Sequence, residues 1–160
     1  LSRPGSRGGG AGGWGMCEFA KFKSTNDRPG HQVGDQVIKA IGTLLQRAAR
    51  PGDLVGRYGG EEFCLVVAGR DAAEAARFAE SLRARFEAEG AASVPALFGS
   101  QVTASFGVST LGGGARGPEE LIDQADQALY ASKHGGRNRV TVYASPDASL
   151  PMTKDEAHAA

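Results

Sequence analysis

Two adjacent glycines, Gly59 and Gly60, separate two β-rich runs and restrict the folds open to this chain more than any other feature. The runs span residues 54–58 and 63–68. Glycines accept the positive φ angles that a tight connection between two strands needs. The pattern therefore predicts a β-hairpin that carries two carboxylates, Glu61 and Glu62, beside its turn.

Helical periodicity surrounds this hairpin. Apolar residues spaced by three and four positions predict helices over about residues 34–49, 71–89 and 118–134. Asp71, with Glu74 three residues later, is a candidate capping box for the second helix. Further strands are predicted over residues 102–110 and 139–143. Because strands alternate with helices apart from one hairpin, we expect an α/β (α+β) fold, a mixed central sheet flanked by helices.

Length and charge narrow the class of protein. The 160 residues fit one domain, and 41% hydrophobic residues are enough for a globular core. Lys+Arg and Asp+Glu balance at 18 each, so the chain lacks the basic field typical of nucleic-acid binding. It contains no apolar run of about 18 residues, and we expect no membrane contact.

Composition also suggests the domain boundaries. Residues 1–15 are rich in glycine and are predicted to be a disordered tail or linker, residues 16–145 to form the domain, and residues 146–160 to be a polar tail. Cys17 and Cys64 form no CxxC pair. We expect both to be reduced strand residues, which favours a cytoplasmic location.

The hairpin tip is the best candidate for chemistry. Without side chains, Gly59 and Gly60 let a large ligand approach the backbone. Adjacent acids such as Glu61 and Glu62 repel each other unless a cation is present, and Mg²⁺ favours carboxylate and phosphate oxygens together. An ordinary glycine turn followed by solvated acids explains the same residues, so the pattern alone leaves both interpretations open.

Longer motifs carry a resemblance to a known family. RYGGEEF at residues 57–63 resembles the signature of the GGDEF family, the diguanylate cyclases that join two GTP molecules into cyclic di-GMP. Residues 22–35 resemble its FKxxND…GHxxGD segment, and residues 125–140 its ADxALYxAKxxGRNRV segment, with Ser132 where alanine is usual. The chain is thereby identified as a member over about residues 18–143. The resemblance implies a palm-like nucleotidyl cyclase fold with a signature β-hairpin.

The resemblance also implies a GTP site. Its substrate-binding residues would be Phe22, Lys23, Asn26, His31, Asp35, Lys133 and Arg137. Asn26 and Asp35 would read the guanine, while the lysines and Arg137 would lie along the phosphates. From the residues alone, an Asn-Asp turn, an N-cap aspartate and cations at a helix C-terminus remain open alternatives.

The catalytic set implied by the resemblance is Gly59, Gly60, Glu61 and Glu62. Glu61 would hold Mg²⁺ (or Mn²⁺), with Glu62 as a second ligand or as a stabiliser of charge near the reacting 3′-hydroxyl. Glu18 falls where the family has a metal-ligating aspartate, whereas Ala20 replaces a second aspartate.

The resemblance implies partners and control as well. Since one domain holds one GTP, activity would need a homodimer whose two domains meet face to face. Arg50 and Asp53 match an RxxD motif that binds the product, so we expect feedback inhibition by cyclic di-GMP. From the residues alone, a helix-end arginine and a turn aspartate explain RxxD equally. An upstream sensory domain is expected, which this chain lacks.

Before Phe22 the match to the family is poor. A DxLTGLxNR-like segment and the helix after it are absent, and the lead-in strand reads GGWGMC, so we expect an incomplete N-terminal part of the domain. Because the acidic signature is intact, Glu61 and Glu62 favour the interpretation that the chain is an active enzyme. Ala20 favours an impaired domain that binds cyclic di-GMP or GTP as a regulatory module. A related cyclase acting on one nucleotide is a third alternative, disfavoured by Asn26 and GGEEF.

Overall fold

A computed structural model describes residues 13–19, 31–92, 94–97 and 101–145. Its five strands are β1 (Gly13–Phe19), β2 (Leu54–Gly59), β3 (Glu62–Val67), β4 (Ala104–Thr110) and β5 (Val140–Val142). Its three α-helices are α1 (His31–Ala48), α2 (Ala72–Glu89) and α3 (Pro118–His134).

The strands form one mixed sheet in the order β2-β3-β1-β4-β5. The pairs β2–β3, β3–β1 and β1–β4 are antiparallel, while β4 and β5 are parallel. A parallel pair needs a crossover connection, and α3 provides it. The prediction of a mixed sheet flanked by helices is confirmed.

Strand β1 corrects the sequence analysis in one respect. It begins at Gly13, inside the stretch 1–15 for which the sequence predicts a disordered tail, and it occupies the centre of the sheet. Its backbone pairs with β3 on one side and with β4 on the other along nearly its whole length. Main-chain hydrogen bonds on both edges hold this glycine-rich segment in the sheet, although its own strand propensity is low.

Helices α1 and α2 cover one face of the sheet. The core on this face joins apolar residues of both helices to alternate residues of β3 and β4, with Leu45, Leu82, Phe86, Phe106 and Val108 among the most deeply buried. Every residue of β4 is buried, because α3 covers the opposite face. There Ser109 donates a hydrogen bond from Oγ to the Leu121 carbonyl at 2.7 Å.

Contact between β4 and α3 depends on a glycine. A Cβ atom at Gly107 would overlap the Ala125 carbonyl oxygen and the Leu129 backbone nitrogen, and it would lie 2.8 Å from the Leu129 Cα. The helix backbone therefore rests directly on the strand backbone. This close approach fixes the position of α3 and of the residues at its C-terminal end.

Most predicted boundaries agree with the structure. The capping box of α2 is confirmed: Glu74 N donates to Asp71 Oδ1 at 2.7 Å and Asp71 N donates to Glu74 Oε2 at 3.0 Å. Helix α1 begins at His31, before the predicted start at residue 34, so Asp35 lies within the helix and is not its N-cap. In the described residues no helix combines the length and apolarity that crossing a membrane requires.

Candidate active site

The predicted hairpin is formed by β2 and β3, and an arginine braces its turn. Gly60 has φ +47°, and the register shifts between Arg57 and Gly59. Arg57 donates from Nε and Nη2 to the Gly60 carbonyl oxygen at 2.9 and 2.7 Å. Sequence reasoning gave Arg57 no role, although it belongs to the signature heptapeptide. The two bonds fix the backbone next to Glu61 and Glu62.

The two signature carboxylates have different surroundings. Glu61 is exposed, whereas Glu62 is half-buried and its Oε1 lies 3.7 Å from Nζ of Lys133 at the end of α3. Burial lowers the pKa of Lys133, and the positive charge of Arg137 lowers it further. The structure therefore places the predicted catalytic Glu62 beside Lys133, and the charge of Arg137, the other predicted phosphate-binding cation, acts on Lys133.

The register of β1 brings a third acid to this end of the sheet. Glu18 is the Cα partner of Glu62 on β3 and of Ser105 on β4. Only the backbones of Glu18 and His31 are described, so their predicted side-chain roles stay predictions. Asp35 is exposed on the first turns of α1. Phe22, Lys23, Asn26 and Ala20 lie outside the described residues.

The donors at the hairpin suit a hard divalent cation. Mg²⁺ is bound in proteins through one or two carboxylates together with substrate phosphates and water, which matches two glutamates at a glycine turn. Within the described ranges, no cluster of three or more His, Cys, Asp or Glu side chains forms a closed metal cage. The two hairpin glutamates therefore fit a hard divalent cation that takes its other ligands from water or from a phosphate group.

The predicted RxxD residues lie on a different surface, where α1 leads into β2. The Asp53 side chain is only 4% exposed. Its Oδ2 accepts from Arg50 N at 3.0 Å and from Arg70 Nη2 at 3.2 Å, while its Oδ1 accepts from Ala68 N at 3.1 Å. A carboxylate offers about four lone-pair positions, so about one is left for a ligand. Asp53 thus also holds this corner of the fold together.

A groove of about 310 Å³ opens beside Asp53. It is lined by Arg50, Gly69, Arg70, Glu74, Arg77 and Phe78. The guanidinium of Arg70 stacks on the Phe78 ring at 3.8 Å, and in the described part of the chain its buried Nη1 has no hydrogen-bond partner. Three arginines and one glutamate line the groove, so its excess of positive charge suits an anionic ligand. No local motif distinguishes Arg70, and sequence reasoning missed it.

Comparison with known proteins fits this arrangement. The family model described as "Diguanylate cyclase, GGDEF domain" matches residues 9–139, and the chain belongs to this family. It is 39% identical over 127 residues to "Probable diguanylate cyclase DgcT" of Escherichia coli (strain K12), a match that covers 79% of this chain and 28% of that protein. The chain thus spans about a third or less of such relatives.

Solved structures share the fold. The GGDEF domain of DgcB from Caulobacter crescentus, in complex with c-di-GMP, superposes with a TM-score of 0.68 at 33% identity, covering 83% of this chain and 78% of that one. The active GGEEF domain of a diguanylate cyclase from Vibrio cholerae gives a TM-score of 0.69 at 30% identity, covering 83% of each chain. The predicted family and fold class are confirmed.

Proposed function

We propose that this domain condenses two GTP molecules into cyclic di-GMP. In each step a 3′-hydroxyl oxygen attacks the α-phosphorus of the other GTP and loses its proton, and the bond to the β-phosphate breaks to release pyrophosphate. The observation that carries the proposal is the approach of Glu62 to Lys133 at 3.7 Å beside a glycine turn that Arg57 braces, with the charge of Arg137 acting on Lys133. Phosphoryl transfer depends mainly on such positioning and charge.

The described residues suit distinct parts of the substrate. Lys133 and Arg137 would hold the triphosphate, whose negative charge would relieve the repulsion between the two cations. The open turn at Gly59 and Gly60 admits the nucleotide, and Glu62 lies where it would meet the reacting groups. We propose Asn26 and Asp35 for guanine, with Phe22, Lys23 and His31 completing the site.

Glu61 and Glu18 would hold Mg²⁺ (or Mn²⁺), with Glu62 nearby. When bound, such an ion supplies charge neutralisation at the phosphate oxygens and orients the triphosphate. The chain's own contribution is to hold carboxylates at a rigid turn, which two hydrogen bonds from Arg57 support.

A single domain would hold one GTP, so we propose that two copies meet with their hairpins face to face. The rate per domain would then rise with domain concentration until the dimer saturates. A rate per domain that does not change over a hundredfold dilution would contradict this part of the proposal.

The decisive experiment is chromatographic detection of cyclic di-GMP after incubation of the chain with GTP and Mg²⁺. Glu61→Gln keeps the size of the side chain and removes its charge, and we expect a loss of at least a hundredfold in rate. Asp123→Asn, an exposed acid on α3, is the matched control and should retain activity. A folded parent without product, or equal rates in both variants, would refute the cyclase.

A second candidate function, a regulatory module that binds cyclic di-GMP, is favoured by the groove of Arg50, Arg70 and Arg77. An enzyme that is inhibited by its product would use the same groove. The exposed guanidinium groups of Arg50 and Arg77 would meet phosphate or guanine oxygens.

Calorimetric titration with cyclic di-GMP tests this groove. We expect Arg50→Ala to weaken binding about 10- to 100-fold, as the loss of a charged hydrogen bond does. Arg47→Ala, which removes an exposed arginine of α1 outside the groove, should bind like the parent. Unchanged binding in Arg50→Ala would place the ligand elsewhere.

A further inference from the structure

Two neighbouring residues after α3 adopt a backbone conformation that side chains disfavour. Arg137 has φ +61° and Asn138 has φ +46°, and no other described non-glycine residue has positive φ. Such residues persist where their surroundings determine the conformation, and they concentrate at functional sites. Arg137 is also one of the two cations assigned to the triphosphate.

The polar groups of Asn138 hold this loop in place. Its backbone N donates to Ser105 Oγ at 3.1 Å, and its Nδ2 donates to Glu87 Oε1 at 2.9 Å. Its Oδ1 accepts from Arg83 Nη1 at 2.8 Å. Arg83 is in turn fixed, because it donates to Glu80 Oε1 and to Glu87 Oε2, both at 2.8 Å. The loop is thus attached to α2 and to β4.

The electrostatics of this cluster agree with its geometry. Hydrogen bonds lower the pKa of Glu87, with the larger effect from Arg83 and the smaller from Asn138, so Glu87 stays ionised at neutral pH. Arg137 N donates to the Ser132 carbonyl oxygen at 3.0 Å, which ties the loop back to the last turn of α3. That turn also carries Lys133.

We propose that Asn138, Arg83 and Glu87 form a positioning cluster that presents Arg137 beside Lys133 in a phosphate-binding arrangement before the nucleotide arrives. None of the three would touch the nucleotide. The inference rests on the proposed function, since it names the triphosphate of GTP as the ligand that this preorganised pair accepts.

Positioning can be separated from stability because glycine accepts the backbone of residue 138. Asn138→Gly allows a positive φ without strain but removes both side-chain bonds. If the phosphate-binding arrangement is then populated in about a tenth of molecules, the affinity for GTP falls about tenfold. A purely structural role would lower the melting temperature and leave the affinity of the folded protein unchanged.

The experiment measures calorimetric binding of α,β-methylene GTP with Mg²⁺, which cannot release pyrophosphate, together with thermal unfolding. We expect Asn138→Gly and Arg83→Met to weaken binding about tenfold. Arg85→Met, which alters another arginine of α2 outside the cluster, should bind like the parent. In turnover, the same two variants should raise KM more than they lower kcat.

A double variant provides a rescue. Asn138→Asp alone places a second carboxylate beside Glu87, and the two negative charges repel each other. This variant should therefore bind the GTP analogue as weakly as Asn138→Gly. Adding Glu87→Gln lets the new amide donate to Asp at 138 while Arg83 still donates to it, so most of the affinity should return. Equal affinity for the GTP analogue in the parent, Asn138→Gly and Arg83→Met would overturn this inference but not the proposed function. A folded double variant that does not regain affinity would do the same. A parent that binds no GTP analogue would overturn the proposed function as well.

Discussion

Replacing Arg70 by methionine tests the corner beside the RxxD residues. The ion pair of Arg70 and Asp53 is 3.2 Å long, and each side chain is 4% exposed. Methionine keeps most of the apolar length and can still contact Phe78, so the substitution removes the charge and its hydrogen bond with little loss of volume. The Asp53 carboxylate stays buried with two backbone donors, Arg50 N and Ala68 N.

The size of the effect follows from this partial compensation. Removing one partner of a buried ion pair costs about 3–5 kcal/mol. Two remaining N–H donors place this case at the lower end. Loss of the buried cation–π contact with Phe78 adds about 2 kcal/mol, and removal of the unpaired Nη1 of Arg70 offsets about 1–2 kcal/mol. We therefore expect Arg70→Met to lower the free energy of unfolding by about 3–4 kcal/mol, and the melting temperature by about 6–16 °C.

Urea unfolding of a double-mutant cycle is the assay. Asp53→Asn should be about as costly as Arg70→Met, because it leaves a buried guanidinium without its charge partner. The double variant should cost much less than the two single costs combined, with a coupling of at least about 2 kcal/mol. Arg77→Met, an exposed arginine of the same groove, should change stability by less than about 0.5 kcal/mol. A loss below about 1 kcal/mol in Arg70→Met, or additive effects, would refute the reasoning.

Three further perturbations have expected outcomes. Gly107→Ala should lower the free energy of unfolding by at least about 3 kcal/mol, because its Cβ overlaps helix backbone. Gly56→Ala, whose Cβ meets open space, should change it by less than about 0.5 kcal/mol. Equal melting temperatures of the two variants would contradict this. Asp71→Ala removes the capping box of α2 and should lower the free energy of unfolding, measured in urea, by about 1 kcal/mol. An unchanged free energy would mean that water replaces the capping hydrogen bonds. The lowered pKa of Glu87 means that its stabilisation is complete above about pH 4.3 and is lost as pH falls through the folded-state pKa. Between about pH 5 and pH 3, the melting temperature of Glu87→Gln should therefore fall less than that of the parent. Equal falls in the two proteins would show that other groups control the pH dependence.

The elements that sequence periodicity predicts well are those whose burial is one-sided. Helices α1, α2 and α3 carry apolar stripes, and the hairpin has its glycines at the turn. Strand β1 offers no such signal, because its segment is rich in glycine and is placed by backbone pairing with β3 and β4. Its central place in the sheet could not be derived from the local sequence.

The candidate site shows the same division. Motif resemblance identified Glu62 and Lys133, and the fold brings them within 3.7 Å of each other. The residues that hold such groups in place went unnoticed, because their partners are distant in sequence: Arg70 meets Asp53 17 positions away, and Asn138 meets Arg83 55 positions away. No local pattern distinguishes these arginines from solvated ones.

The central position of β1 has a consequence for synthesis. On the ribosome β1 precedes both of its partners, and the second of them, β4, emerges roughly 90 residues later, about 5–18 s at ordinary translation rates. Strand β3 emerges earlier and can pair with one edge of β1, but the other edge stays open until β4 has been made. Completing the sheet therefore requires a pairing between strands that are far apart in sequence, and such a long-range closure is typical of slow-folding domains.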